Sequence, residues 1–514
     1  IHTTVVPLSE IGSSASGDIH NFVKNYYETH AITYLLLVGG EDAIEPEMRQ
    51  DGGNYSCDNC FGYLDGPDYA PEVFVGRYHA ETVDQLKIMV QRNLDYEKTP
   101  LVDEAQNWCA TGMWSASNEG MGIGDDNQAD FEHANEWKAA QLEDGYTKYW
   151  EFYDGNHADI SPTPGNETAD QNGNPVNTQL VDLMNNHGVS IYNYTGHGWE
   201  QGLVSGNFNV DAVAALRNIH RYPVCIAVAC CAGNFTNNDS GDCLGEAFQR
   251  AGDQANGVAW GGIAGYFSSD FQSWSPPMEG QDGMNQYLID ADGINITPTV
   301  GSMLAYGNVK MIEAYDSGGE LMAGFWNTFG EPSTVIRSRQ PQVLTATHAA
   351  GTFIGTTSLS VNCLVEGALV SLYWQGQTLA VANVSGGVAV FNFPALNNVG
   401  ALTVTATQFN YIPYQGVIQV TPAAGAFVVN QLVTLNDSAG NNNQKADYNE
   451  SVAFNVTLSN VGLEIANATA ATLSTTDENV FITDASETFG DLAASESLEK
   501  VAAFAFTVLD DVTD

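Results

Sequence analysis

The sequence predicts an α/β region followed by β-sandwich modules, and three observations carry that prediction. Up to about residue 340, apolar stretches bounded by glycine alternate with stretches whose apolar residues recur at helical spacing, the pattern of a parallel sheet covered on both faces. From about residue 341 the chain becomes rich in Thr, Val, Ser and Gly and breaks into short alternating runs, the pattern of a sandwich. The 514 residues are 44% apolar and 10% aromatic, enough for packed cores in roughly two to four domains.

Taken in order, Thr33-Tyr34-Leu35-Leu36-Leu37-Val38 ends in Gly39-Gly40 as a buried strand would, and Glu81 to Tyr96 is apolar at helical spacing. Val189 to Tyr194 is a second buried strand, running into Thr195-Gly196-His197-Gly198. A helical stretch from Val210 to Arg217 precedes a third strand, Val224 to Ala229, which runs into Cys230-Cys231-Ala232-Gly233. Ser358-Leu359-Ser360-Val361, Phe391-Asn392-Phe393 and Leu402-Thr403-Val404-Thr405 are short strands of the sandwich part, and another module starts near Phe427. The boundaries fall at 1–105 and 106–340 for two α/β subdomains, 341–424 for a first sandwich and 425–514 for a second that stops short. Because the chain starts at Ile1 and stops at Asp514 in what reads as mid-domain, it is expected to be a piece of a longer precursor.

The 62 acidic and 16 basic residues leave a net charge of −46. Phosphate backbones are bound by clustered Lys and Arg, and here eight of each are scattered with no basic run, so nucleic acid is excluded as a partner. Ile32–Val38 and Val224–Cys231 are the longest apolar stretches, far short of the roughly 18 residues of a membrane-spanning helix. Eight cysteines are too few for a disulfide scaffold and lack paired zinc spacing. Cys57-Asp58-Asn59-Cys60 sits in a Gly/Asp-rich loop without the helix start that lowers a thiol pKa, which favours a structural or incidental role over a redox pair.

In open α/β sheets, ligands bind at the carboxyl ends of strands. A strand-helix-strand crossover would set the ends at His197 and Cys230 side by side, where an imidazole can take a thiol's proton and small residues leave room for a substrate backbone. Cys225, inside its apolar run, reads as a small hydrophobe. His187-Gly188 lies at the wrong end of its strand. Neither Gly-x-Ser-x-Gly nor His-Glu-x-x-His occurs.

Six motifs then occur in one order: Tyr34-Leu35-Leu36-Leu37-Val38-Gly39, Glu72-Val73-Phe74-Val75-Gly76-Arg77, Asn193-Tyr194-Thr195-Gly196-His197-Gly198, Val228-Ala229-Cys230, Gln272-Ser273-Trp274-Ser275-Pro276-Pro277-Met278 with Gly280-Gln281-Asp282, and Phe329-Gly330-Glu331-Pro332-Ser333. In these the chain resembles the gingipain family of secreted bacterial cysteine peptidases, over residues 1 to about 420. The resemblance implies a caspase-like parallel-sheet catalytic region in two subdomains, followed by immunoglobulin-like modules. It implies Cys230 as nucleophile, His197 as general acid/base and Glu119 as the carboxylate orienting the imidazole, with the N–H groups of Gly198 and Cys230 as oxyanion hole. Cys231 is the neighbour to exclude, because the family's nucleophile directly follows Val-Ala.

In the arginine-specific members that the chain resembles, Asp130 would stand at the base of the S1 pocket, where a carboxylate accepts two guanidinium hydrogen bonds that lysine cannot reproduce. Trp274 and Met278 would be its walls, the indole stacked on the guanidinium, and Thr195 a further substrate contact. The plainer reading of Asp130 is a helix N-cap, and of Glu119 a solvated loop residue. Calcium is the expected cofactor, in a structural role, on Asp65, Asp68 and Glu72 in one loop and on Asp437, Asn441, Asp447 and Glu450 in another; plain solvated turns are the alternative. The partners expected are protein and peptide substrates, at a secreted or cell-surface location, with surface attachment left to a region beyond Asp514. The rival functions are a non-catalytic surface adhesin or carbohydrate-binding protein on a peptidase-like scaffold, and a thiol-disulfide oxidoreductase using Cys57 and Cys60.

Overall fold

The structure of the chain, a computed structural model, describes residues 3–509 except 51, 67, 103–106, 157–172, 237–240, 291–292, 294–296, 423, 439–444 and 478. It divides into two compact units, Thr4–Gln342 and a unit holding Val343–Asp514.

The first unit is built on eight strands: β1 (Tyr34–Val38), β2 (Phe74–Tyr78), β3 (Thr111–Ala116), β4 (Lys148–Tyr153), β5 (Ile191–Thr195), β6 (Val224–Val228), β7 (Ala264–Ser268) and β8 (Trp326–Phe329). Their order across the sheet is β1-β2-β8-β7-β6-β5-β3-β4. Neighbours run parallel within β1-β2-β8 and within β7-β6-β5-β3-β4, and the two blocks meet antiparallel at β7 and β8. Strands expected in 1–105 and in 106–340 thus join one sheet.

Both faces of the central strands are buried, which is why they read as continuous apolar runs. Cys225 and Ala227 of β6 pack with Leu180, Leu183 and Met184 of α4 (Asn177–Asn186) and Ala212 and Val213 of α5 (Val210–Ala214). Val224, Ile226 and Val228 face the other way, onto Met278, Met284 and Leu288 of α7 (Ser275–Leu288) and Val300, Met303 and Leu304 of α8 (Val300–Phe325). Cys225 is therefore the small core hydrophobe expected. Longer helices elsewhere in this unit are α1 (Ser16–His30), α2 (Val83–Lys98), α3 (Asp130–Asp144) and α6 (Leu244–Arg250).

Cys57 and Cys60 form a disulfide and are fully buried. Between them, Asp58 pairs with the buried Arg77 of β2 through two hydrogen bonds of 2.6 and 2.7 Å, and Asn59 donates to the Trp326 carbonyl of β8. The loop thus ties β2 to β8 across the sheet's edge block. Its sulfurs are shut away from any partner thiol, so its role is structural.

The second unit has two separate apolar cores. One gathers Val370, Leu372, Leu402, Val404, Ile418 and Val420 from a five-stranded sheet, with Val361 and Phe391 from a three-stranded one. The other gathers Val456, Leu458, Phe489, Leu492 and Phe504. Inward residues alternate with exposed ones along Leu369–Trp374 and Gly400–Thr407, the period of strands with one buried face.

Candidate active site

β5 and β6 are adjacent and parallel, with Thr195 paired to Val228. His197 and Cys230 each stand two residues beyond that pair, so the register delivers imidazole and thiol to the same edge. The Gly196 N–H donates to the Val228 carbonyl at 3.1 Å, which carries the pairing one residue past the strand. The His197 carbonyl is fixed by the Tyr194 hydroxyl at 2.6 Å and the Val204 N–H at 3.0 Å.

Gly198 lies against the backbone of Cys230. A Cβ placed there would be 2.8 Å from the Ala229 Cβ and the Cys230 carbonyl oxygen, and 3.4 Å from the Cys230 nitrogen. No side chain fits without displacing the strand end, and the two backbone segments are within reach of a common ligand atom. Cys231 follows with φ of 60° and is buried, its N–H donating to the Asp270 carbonyl. A left-handed residue here turns the chain sharply after Cys230.

The two adjacent thiols stand in different surroundings. Burial, with the nearby charges of Glu200, Cys230 and Asp270, pushes the Cys231 thiol up to about 12. Cys230 is half-buried and raised less far, by burial first and opposed by the Gln272 N–H, which points at its Sγ from 3.4 Å. Resting Cys230 is thus a thiol that needs a base, and the donor that would support its thiolate is in place.

Glu119 Oε2 lies 3.1 Å from His197 Nε2, with both side chains more than half exposed. Trp274 stands edge-on to the His197 ring, with centroids 5.3 Å apart. Its Nε1 donates to Asp130 Oδ1 at 2.9 Å, while the Ser117 hydroxyl donates to Asp130 Oδ2 at 2.5 Å. Asp130 is fully buried, and burial raises its carboxyl to about 6 against the pull of these donors.

Several expectations are corrected by these contacts. Asp130 is not a helix N-cap: it is the first residue of α3, whose cap is Ala129 with Glu132 accepting the Ala129 N–H at 2.9 Å. Met278 is fully buried against Gly124, so it backs the loop that carries Glu119 instead of presenting a pocket wall. The buried Thr195 hydroxyl donates to Gln281 Oε1 at 2.8 Å and accepts from Trp114 Nε1 at 3.2 Å, which leaves it no opening toward a substrate. The indole edge of Trp274 is turned to Asp130, where stacking alone was expected.

In the loops expected to hold calcium, the described carboxylates are engaged as follows. Glu72 accepts the N–H groups of Leu64 and Asp65, and Asp68 that of Ala70, so each carboxylate caps its own loop. Asp447 donates its N–H to Glu450 Oε2, Asp437 is buried at the end of a strand, and Asn441 lies outside the described residues. Among the described residues, three acidic side chains within 4.8 Å of one another occur instead at Asp125, Glu279 and Asp282. Burial and Asp125 raise Glu279 to about 7.

Sequence reasoning assigned no role to Ser117, Gln272 or Gln281. Gln272 and Gln281 were inside quoted motifs, but the partners of Ser117 and Gln272, Asp130 and Cys230, are 13 and 42 residues away.

Residues 1–337 match peptidase family C25, and residues 347–421 match its C-terminal immunoglobulin-like domain. The chain is similar to Gingipain R1 of Porphyromonas gingivalis, 32% identical over 413 residues, covering 80% of this chain and 39% of that protein. It is also similar to Gingipain R2 of Porphyromonas gingivalis (strain ATCC BAA-308 / W83), 30% identical over 434 residues, covering 84% and 55%. It therefore spans about two fifths to just over half the length of these relatives. A crystal structure of the Arg specific cysteine proteinase gingipain R superposes with a TM-score of 0.71 at 29% identity, covering 79% of this chain and 88% of that one.

Proposed function

The chain belongs to peptidase family C25, and from that premise we propose that it is a secreted cysteine endopeptidase cleaving peptide bonds after arginine in preference to lysine. The observation that carries the reading is the β5–β6 register, which sets His197 and Cys230 at equal offsets from one residue pair beside the tight Gly198 contact.

His197 takes the proton of Cys230 as Sγ attacks the scissile carbonyl carbon. The oxyanion that forms is met by the N–H groups of Gly198 and Cys230, donors worth about 3 kcal/mol each to such a transition state. His197 then protonates the departing amine, leaving a thioester on Cys230. In the second half, His197 accepts a proton from water as it attacks the thioester, and returns it to Sγ as the acid product leaves. Glu119 holds the imidazole in the orientation both halves need.

Selection for arginine rests on Asp130. Its oxygens each retain acceptor capacity after Ser117 and Trp274 are served, and a guanidinium reaching them would find a desolvated, planar partner. Admission requires the Trp274 indole to swing off the carboxylate. Similarity to two R-type gingipains supports the same assignment.

A buried disulfide suits an oxidising compartment, in keeping with secretion, and no helix among the described residues is long and apolar enough to cross a membrane. Structural calcium, expected from the acidic loops, would also find hard oxygen donors at Asp125, Glu279 and Asp282, the chemistry such a cation takes.

An arginyl chloromethyl ketone tests the proposal. One equivalent should alkylate Cys230 and end hydrolysis of arginyl substrates, and Cys230→Ala should remove both. Alkylation elsewhere, or activity surviving in Cys230→Ala, would defeat it.

A further inference from the structure

The motif Gly280-Gln281-Asp282 lies on α7, inside the core, and neither the dyad nor the pocket uses it. The geometry points to Gln281 as a positioning residue that fixes the arginine pocket relative to the catalytic dyad, an inference that rests on the function proposed above.

Gln281 is fully buried, and its amide makes four hydrogen bonds. Oε1 accepts from the Thr195 hydroxyl at 2.8 Å and from His133 Nε2 at 3.1 Å. Nε2 donates to Asn193 Oδ1 at 3.1 Å and to the Tyr194 carbonyl at 3.3 Å. Three of these partners lie on β5, two to four residues before His197. The fourth lies on α3, three residues after Asp130, and Gln281 itself sits on the helix capped by Trp274.

One side chain thus joins the three elements that carry His197, Asp130 and Trp274. The neighbouring Asn285 doubles the tie, since its Nδ2 donates to Asn193 Oδ1 and its Oδ1 accepts from Gln141 of α3. An amide oxygen can only accept, so His133 Nε2 is the donor in its bond to Gln281, while Nδ1 faces Asp282 Oδ1 at 3.3 Å. With all four of its own bonds made in the core, the Gln281 amide holds these elements to one geometry. Reaction in turn demands that geometry, because displacement by about 1 Å costs roughly 100-fold.

The test compares Gln281→Met, which keeps the volume and removes all four bonds, with Gln281→Glu. In its acid form glutamate keeps both bonds that Oε1 accepts and one of the two that Nε2 donates, because a carboxyl has a single O–H. Kinetics on an arginyl amide at 25 °C, well below unfolding, should show kcat down about 10- to 100-fold in Gln281→Met, with KM within about threefold. Gln281→Glu should stay within about fivefold of the parent. Alkylation of Cys230 by iodoacetamide, which has no side chain to place in the pocket, should change less than about threefold in both.

A folded Gln281→Met with lowered Tm and parental kcat would make the network merely structural and overturn the inference. If that variant does not fold, Thr195→Val, which removes one of the four bonds, must lower kcat about three- to tenfold or the inference is overturned. A parent protein that is alkylated at Cys230 yet cleaves no arginyl amide would overturn the functional reading and this inference with it.

Discussion

Asp130→Asn separates the cost of Asp130 to the fold from its use to the site. The carboxyl is fully buried, and burial raises it from 3.8 to about 6 against the hydrogen bonds from Ser117 and Trp274. A group that holds its proton more tightly when folded adds stability below its unfolded value and loses it as pH rises through the folded one. Between pH 4 and pH 7 the fold therefore gives up about 3 kcal/mol at this residue, from a gap of about two pH units. Asparagine removes the charge and keeps both contacts, since Oδ1 still accepts from Trp274 and the new N–H₂ faces Ser117, whose hydroxyl can accept. Loss of a first-turn charge at the α3 N-terminus subtracts about 0.3–1 kcal/mol, so a net gain of about 2 kcal/mol is expected at pH 8 and none at pH 4. Activity should move the other way. Truncating one partner of a buried charged pair costs about 2–5 kcal/mol, so kcat/KM on arginyl peptides should fall about 30- to 5,000-fold. The parent's kcat/KM, divided by its iodoacetamide alkylation rate to cancel Cys230 and His197, should also rise with pH through about 6, and the variant's should not. Thermal unfolding at the two pH values and arginyl-peptide kinetics supply the readings. Parental arginine cleavage in Asp130→Asn, or a variant less stable than the parent at pH 8, would refute the reasoning.

Glu119→Gln should lower kcat only about fivefold or less, because the His197 pair is more than half exposed and such pairs contribute about 1 kcal/mol or less; a thousandfold loss would mean that Glu119 does more than orient the ring. Gly198→Ala should reduce kcat by about 100-fold or more with KM little changed, since the added methyl meets the Cys230 carbonyl at 2.8 Å and displaces one oxyanion donor; kinetics equal to the parent would remove Gly198 from the site. Replacing Cys57 and Cys60 together by Ala should lower stability by about 2 kcal/mol, the entropy of closing so short a loop, without changing kcat at 25 °C. Loss of activity in a folded double variant would revive the redox reading.

How much of this was legible depended on how local the signal was. His197 and Cys230 could be read because each follows a continuous apolar run and sits on a small-residue turn, and the crossover between the runs forces their strands together. Cys225 could be read as core for the same reason. Met278 and Thr195 could not, because the side that a helix or strand end turns to the core is decided by what packs there: Gly124 for one, Gln281 and Trp114 for the other. The acidic loops are ambiguous for a different reason. Carboxylates at metal-like spacing are equally suited to capping nearby N–H groups, and Glu72 and Asp68 do that. Gln281 was beyond reach because its partners lie 86 to 148 residues away.

The charge imbalance also takes on a more specific meaning in the fold. A peptidase that selects arginine is its own potential substrate, and scarcity alone does not protect it, since eight arginines remain. Four of them are buried: Arg77 on Asp58, Arg92 on the carbonyls of Gln249, Ala251 and Gly262, Arg250 on Glu246 and Asp242, and Arg337 on the carbonyls of Tyr96 and Glu97. Arg49 meets Cys60 Sγ, Arg221 the Asn185 carbonyl, and Arg339 the Asp144 carboxylate and carbonyl. Arg217 is the exposed exception, yet it bonds the Ala214 carbonyl and stacks on Trp260 with its guanidinium 4.3 Å from the ring centroid. Each would have to leave its partners before entering another molecule's pocket, so self-cleavage must wait for local unfolding, and Arg217 needs the least. Cationic peptides, by contrast, are drawn toward 46 net negative charges whose reach shrinks to about 10 Å at 0.1 M salt. Salt should therefore lower kcat/KM on arginyl peptides, while autolysis, limited by opening of the fold, should follow stability instead. Autolysis that fell in parallel with peptide cleavage across a salt series would show that encounter, not unfolding, limits both.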